Sequence, residues 1–188
     1  MESKPPNNVI KKFNAKNNVE VIIRYIEWSD LDDYIDFWES LFTNDDELKL
    51  FLGPIKQESK SDYAKKFFKI ISRISENQEI RLIAEVNGKM IGYASIKRDE
   101  GSFGHRGWLG IIVRREFRNI GIGTELLRAV IDEAKKHGFK LILLETSSLN
   151  SRAIHVFEKV GFKIIGKIPS GMKIDDQYVD TLIMALQL

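Results

Sequence analysis

Cysteine is absent from all 188 residues. That excludes disulfides, thiolate metal sites and a cysteine nucleophile, and it leaves the compartment open. Histidine is scarce as well. His105, His137 and His155 stand apart in the chain, so no structural zinc site is expected, nor any other metal. An excess of one charge is also missing: 29 basic against 27 acidic residues leave +2, too little for a general attraction to nucleic acid. No apolar run approaches the ~20 residues of a membrane span. Met1 to Asn18 is polar, with Pro5-Pro6 and Asn7-Asn8, and lacks the apolar core of a signal peptide. Neither nucleic acid nor membrane is therefore an expected partner, and the expected location is cytoplasmic. What remains, 43% hydrophobic and 30% charged residues, is the composition of a soluble globular protein. The length suits one domain with a sizeable core.

Residues 1–18 read as a flexible arm, because Val9, Ile10 and Phe13 show no sustained period. The expected domain covers 19–188. Val19 to Ile26 is a β-branched strand, and Trp28-Ser29-Asp30 offers an N-cap to a helix striped by Leu31, Tyr34, Ile35, Trp38, Leu41 and Phe42. Asn44 to Ser59 reads as a loop with an apolar patch at Leu48, Leu50, Phe51 and Leu52. A second helix, capped by Ser61 or Asp62, runs to about Glu76. Strands at Ile80–Val86 and Lys89–Ile96 flank Asn87-Gly88, the strongest short hairpin signal. The aromatics Trp28, Trp38, Phe42, Phe51, Phe67 and Phe68 are expected in core packing.

The centre of the chain has the order strand, basic glycine loop, helix. Trp108-Leu109-Gly110-Ile111-Ile112-Val113 has strand length and composition. Leu126, Leu127, Val130, Ile131 and Ala134 follow at helical spacing. Between them lies Arg118-Asn119-Ile120-Gly121-Ile122-Gly123-Thr124. Glycine lets backbone amides approach a ligand closely, and the helix that follows adds free N–H groups and its positive dipole end. Such a turn is an anion site, most naturally one for phosphate or pyrophosphate. It is not a Walker loop, since no lysine precedes Thr124, and it lacks the third glycine of the dinucleotide fingerprint. Downstream, His137-Gly138 stops the helix, Lys140 to Thr146 is a buried strand, and Asn150 to Val160 a short helix. Phe162–Ile168 and Gln177–Leu186 are two closing strands around Gly171 and Asp175-Asp176.

The pattern Arg118-x-x-Gly121-x-Gly123-Thr124 resembles the acetyl-CoA loop of the GNAT-type (GCN-related) N-acetyltransferases. Asn150-Ser151-Arg152-Ala153-Ile154-His155-Val156-Phe157-Glu158-Lys159-Val160-Gly161-Phe162 resembles a second motif of that family. Arg24 followed by Asp30, and the ending Gln177-Tyr178-Val179-Asp180 to Met184, are similar to bacterial and archaeal small-substrate or ribosomal-protein-type members. The resemblance covers about Val19 to Leu188. It implies an α/β fold of the α+β kind: a single-domain mixed, mostly antiparallel, sheet with helices on both faces. It also implies acetyl transfer from acetyl-CoA to a primary amine of a small molecule or of a peptide or protein. Monomer and homodimer both remain open.

Free alkylamines titrate near ~10.4, so most are ammonium ions at neutral pH and need a base before they can attack. Alignment on Val113 and Gly121 puts His105 where ribosomal-protein-type members carry a catalytic glutamate, and its reference pKa of ~6.5 suits the task. A loop histidine without a catalytic part is the plainer alternative. Glu145 is the other candidate base. The resemblance implies that the Val113 amide holds the acetyl carbonyl and that Ile111 and Ile112 line the pantetheine. It assigns the pyrophosphate to Arg118, Asn119, Ile120, Gly121, Ile122, Gly123 and Thr124, and the pantetheine arm to Asn150 and Ala153. Phe157 stands where the family usually has a tyrosine acid, and phenylalanine has no proton to give. Either water serves, or Tyr178 at the substrate side substitutes, or the chain is a CoA-binding sensor with little or no turnover. A nucleic-acid-binding module resting on the basic loop would need a far more basic surface.

Overall fold

The computed structural model describes residues 8–44, 48, 57–174 and 176–188, without the side chains of 42–44. Eight strands form one sheet in the order β1-β2-β3-β4-β5-β6-β8-β7. In chain order they are β1 (Val9–Asn14), β2 (Glu20–Tyr25), β3 (Glu79–Val86), β4 (Lys89–Arg98), β5 (Arg106–Val113), β6 (Leu141–Ser147), β7 (Lys163–Ile174) and β8 (Gln177–Gln187). Four α-helices occur among the described residues: α1 (Leu31–Asn44), α2 (Lys60–Ser75), α3 (Ile122–Lys136) and α4 (Ser151–Lys159). Every strand pair is antiparallel except β5 with β6. This is the mixed, mostly antiparallel, single-domain sheet that the element order predicts.

Local chemistry sets the elements. Asn87 (φ +49°) and Gly88 (φ +73°) are both left-handed, as a two-residue hairpin turn requires, and Val86 pairs with Lys89 across it. Alternation along the strands sends side chains to opposite faces. Leu82, Ala84, Ala94, Ile96, Ile142 and Leu144 pack beneath the Leu126-Leu127-Val130 stripe of α3. Ile83, Met90, Tyr93 and Ile112 pack against Phe37, Tyr63 and Phe67 of α1 and α2. The sheet thus carries two separate cores.

Arg24 joins them to the chain entry. Its guanidinium grips Asp30 through two bonds of 2.7 and 2.8 Å and reaches Glu85 at 2.9 Å. Burial disfavours the charge, but the two carboxylates outweigh it and raise the guanidinium pKa above its ordinary value. Asp30 does not cap α1. It closes a capping box with Glu27 around a single 3₁₀ turn that leads into the helix.

Other expectations are corrected. Residues 9–18 are not a loose arm: Val9–Asn14 pairs with β2, and Phe13 and Ile10 pack on the core. Two partly buried apolar side chains suffice for a strand when an existing sheet edge supplies the hydrogen bonds. The cap of α2 is Ser59, which accepts from the Asp62 amide at 3.2 Å, not Ser61 or Asp62. Trp28 and Phe68 lie exposed against each other, ring centres 5.8 Å apart, rather than in the core. Leu48 is buried; Leu50, Phe51 and Leu52 lie outside the described residues.

Candidate active site

The site begins with a strand that loses one neighbour. β5 pairs with β4 from Gly107 to Val113, but with β6 only from Arg106↔Leu141 to Trp108↔Leu143. Beyond that point β6 stays with β8, as far as Ser147↔Thr181. The two strands diverge, and a cavity of about 510 Å³ opens between them. Asp99 N–H donates to the Arg106 carbonyl and Arg114 N–H to the Ile91 carbonyl, so the even-numbered residues of β5 face β4. Backbone groups alternate along a strand. The amides of Ile111 and Val113 therefore turn into the cavity, where no strand meets them. Ile112, expected beside them, also borders the cavity, although its amide turns to β4 and it packs in the α1–α2 core.

The glycine turn closes one end of the cavity. Gly121 precedes α3 with φ +97°, and a Cβ there would meet nothing within 4 Å. The left-handed backbone, not crowding, is what asks for glycine. No side chain caps α3, so its first amides stay available, and Gly121, Gly123 and Thr124 line the cavity. Arg118 and Asn119 join them. The Arg118 Nε donates to the Val113 carbonyl at 2.8 Å, which satisfies one of the acceptors that the divergence left unpaired. Ile122 is fully buried in the core and Ile120 packs against it, so their side chains do not line the cavity as expected. The loop's ligand side belongs to its backbone.

The opposite wall is α4. Asn150 caps it, accepting from the Ala153 amide at 3.1 Å, and Asn150, Ala153 and Phe157 all line the cavity. Phe157 is buried, its ring edge-on to Phe162 at 6.0 Å. Arg152 and Lys159 of the same helix, and Lys16 from the turn after β1, add positive charge around the cavity. Sequence reasoning missed these three. Basic residues at surface-like positions carry no signal of what they face, and Lys16 sat in a segment read as unstructured.

Glu145 borders this cavity and also a second, more open hollow lined by Lys97, Asp99, Glu100 and Trp108. Leu109 is shared by both. Alternation explains the placement: Ile142 and Leu144 point under α3, so Glu145 points to the other face. Asp99 is tied to Arg106 at 2.5 Å, whereas Glu145 remains exposed.

His105 is not brought here. It is exposed, lies in the turn before β5, and takes the Lys140 amide on its carbonyl at 2.7 Å. At ~3.3 Å per residue it lies roughly 26 Å along the strand from Val113. Tyr178 is likewise absent from the cavity lining. It is 70% exposed, opposite Lys173 near the tip of the β7–β8 hairpin.

Comparison with known proteins agrees with this geometry. The model of the acetyltransferase (GNAT) family matches residues 24–162. The chain is 28% identical over 119 residues to the L-methionine sulfoximine/L-methionine sulfone acetyltransferase of Pseudomonas aeruginosa, spanning 62% of this chain and 69% of that one. It is 35% identical over 81 residues to the probable N-acetyltransferase camello of Xenopus tropicalis, 43% of this chain and only 37% of that relative's length. Among solved structures, an acetyltransferase of the GNAT family from Streptococcus pneumoniae superimposes with a TM-score of 0.77 at 25% identity, over 89% of this chain and 99% of the other. The fold is also that of yncA from Salmonella typhimurium, a putative acetyltransferase solved with its cofactor acetyl-CoA (TM-score 0.75, 22% identity, 89% and 94% covered). The match runs from within β2 through β5, the glycine turn and α4, which are the elements that build the cavity, and the chain belongs to the acetyltransferase (GNAT) family.

Proposed function

We propose that the chain is an acetyl-CoA-dependent N-acetyltransferase acting on a primary amine. One observation carries the reading. The free amides of Ile111 and Val113 run along a cavity that has an anion-binding glycine turn at one end and a carboxylate, Glu145, on its border with a second hollow. A phosphate-bearing, extended, amide-rich ligand fits that sequence of groups. The amides at Gly121, Gly123 and Thr124 receive the pyrophosphate. Asn150 and Ala153 face the pantetheine arm.

Acetyl-CoA supplies the activated acetyl group and a thiol of pKa near ~8.5 as leaving group. The Val113 amide donates to the acetyl carbonyl. Such a donor, fixed before reaction, stabilises the negative charge that develops on the oxygen by several kcal/mol. The acceptor enters from the open hollow beside Trp108 and Lys97. Glu145, on the shared border, takes the ammonium proton directly or through one water. Phe157 excludes water from the sulfur end and donates nothing. No tyrosine lines the cavity among the described residues, so the thiolate leaves without a side-chain acid.

The test is thiol release from acetyl-CoA across a panel of amino acids, polyamines, amine antibiotics and peptides with free N-termini or lysines. Amine-dependent release is expected with at least one class. Tight binding of acetyl-CoA without release across the whole panel would favour a CoA-binding sensor instead.

A further inference from the structure

We propose that residues 9–18 are a built part of the cofactor site, with Lys16 giving a cation to the phosphates of acetyl-CoA and Lys11 cancelling the charge of Glu125. This rests on the acetyl-CoA reading above. The segment precedes the residues matched by the family model, which start at 24, so nothing in that match assigns it a role.

One backbone contact ties it to the glycine turn. β1 runs antiparallel to β2 as far as Asn14↔Glu20. Asn17 (φ +66°) and Asn18 (φ +57°) then reverse the chain, a left-handed pair that asparagine tolerates better than most residues. The Ala15 amide closes the turn on the Val19 carbonyl at 2.8 Å. At its head, the Lys16 amide donates to the Ile120 carbonyl at 3.1 Å, one residue before Gly121. Lys16 consequently lines the same cavity as Gly121 and Gly123 while staying solvated. No carboxylate pairs with it among the described residues.

The second tie is electrostatic. Glu125 stands in the first turn of α3, where a negative side chain competes with an incoming phosphate for the same positive helix end. Lys11 Nζ meets its carboxylate at 2.5 Å, and Arg128 adds a bond of 2.7 Å. The Lys11 hydrogen bond, with the charges of Lys11 and Arg128, holds the Glu125 carboxyl below its usual range even though partial burial pulls the other way. The strap thus brings positive charge to the site and neutralises the one carboxylate in the first turn of α3.

The test is calorimetric titration of the full chain with CoA and with pantetheine, which lacks the phosphates. Lys16→Ala should weaken CoA binding about tenfold at low salt, an effect that shrinks as salt screens the exposed charge. It should leave pantetheine binding unchanged, and Lys16→Arg should keep wild-type affinity for CoA. Lys12→Ala, on β1 beside Lys11 and outside the cavity lining, should bind as wild type. Lys11→Met should weaken CoA binding about threefold, and adding Glu125→Gln should restore it. CoA binding by Lys16→Ala within twofold of wild type, or an equal loss with pantetheine, overturns the proposal alone. A wild-type chain that does not bind CoA overturns the acetyl-CoA reading and this proposal with it.

Discussion

The two ends of β5 do opposite things. At its start, Arg106 to Trp108 is held on both sides, by β4 and by β6. Gly107 there is so enclosed that a Cβ would sit 2.6 Å from the Phe139 ring, 2.7 Å from Ile96 and 2.9 Å from the Lys97 carbonyl. At its far end, Ile111 to Val113 keeps one neighbour and turns its other backbone edge to a cavity. Gly123 faces that end, and a Cβ on it would come only to 4.0 Å from Ile111 and Val113. A fully paired strand spends its hydrogen-bonding groups on the fold. A strand that loses a partner keeps them for a ligand, and the buried polar groups so exposed must find one.

The largest expected effect lies at the open end. Gly121→Glu should abolish the thermal stabilisation given by CoA, because the new carboxylate enters the pyrophosphate space and the φ of +97° is unsuited to it. Gly138, with φ +79° and equally open surroundings, is the control for backbone strain alone. Gly138→Glu should lower Tm yet keep the CoA shift. Equal CoA shifts for Gly121→Glu and wild type would remove the glycine turn from the site.

Turnover separates the ends next. Glu145→Gln should lower kcat by ~10²-fold or more with acetyl-CoA affinity nearly unchanged, while His105→Ala should stay within twofold of wild type. Wild-type kcat in Glu145→Gln would remove the base role. The reverse pattern, with His105→Ala crippled, would mean that the paired end reaches the chemistry.

Stability should break at the closed end instead. Gly107→Ala should cost about 1–3 kcal/mol through overpacking, read as a lower denaturation midpoint, with CoA affinity of the folded protein unchanged. Gly123→Ala, which meets only ordinary contacts, should leave the midpoint within about 0.5 kcal/mol of wild type or raise it. Similar losses for both would erase the distinction between the ends.

The smallest effect concerns Phe157. On the proposed function, Phe157→Tyr adds a phenol where the thiolate forms and should raise turnover by less than tenfold, because a thiolate leaves without much help. A hundredfold loss would mean that the pocket rejects a hydroxyl and that Phe157 does not stand beside the sulfur.

Much of this was legible in one dimension because the signals are local. Asn87-Gly88 announces its hairpin, and Gly121 marks a left-handed turn before a helix whose stripe at Leu126, Leu127 and Val130 is regular. Asn150, Ala153 and Phe157 fall on one short helix, so their spacing already placed them together. His105 and Tyr178 do not line the cavity. His105 was placed by alignment along a strand that carries its residues more than 3 Å apart, so a few places decide between the site and the far end of the sheet, and Tyr178 was chosen for its hydroxyl, which says nothing of where it faces. Lys16, Arg152 and Lys159 gave no warning, since a basic residue reads the same whether it faces solvent or a phosphate.

By itself the sequence determined the order of strands and helices from β2 onward and the position of the glycine turn, because periodicity, turn residues and helix starts depend on near neighbours. Tertiary structure alone decided where β5 and β6 part, which amides are left free, that Glu145 rather than His105 borders the cavity, and that the chain's first strand returns to brace the glycine turn. Those are distances between residues remote in the chain, and they exist only once the sheet has chosen its register.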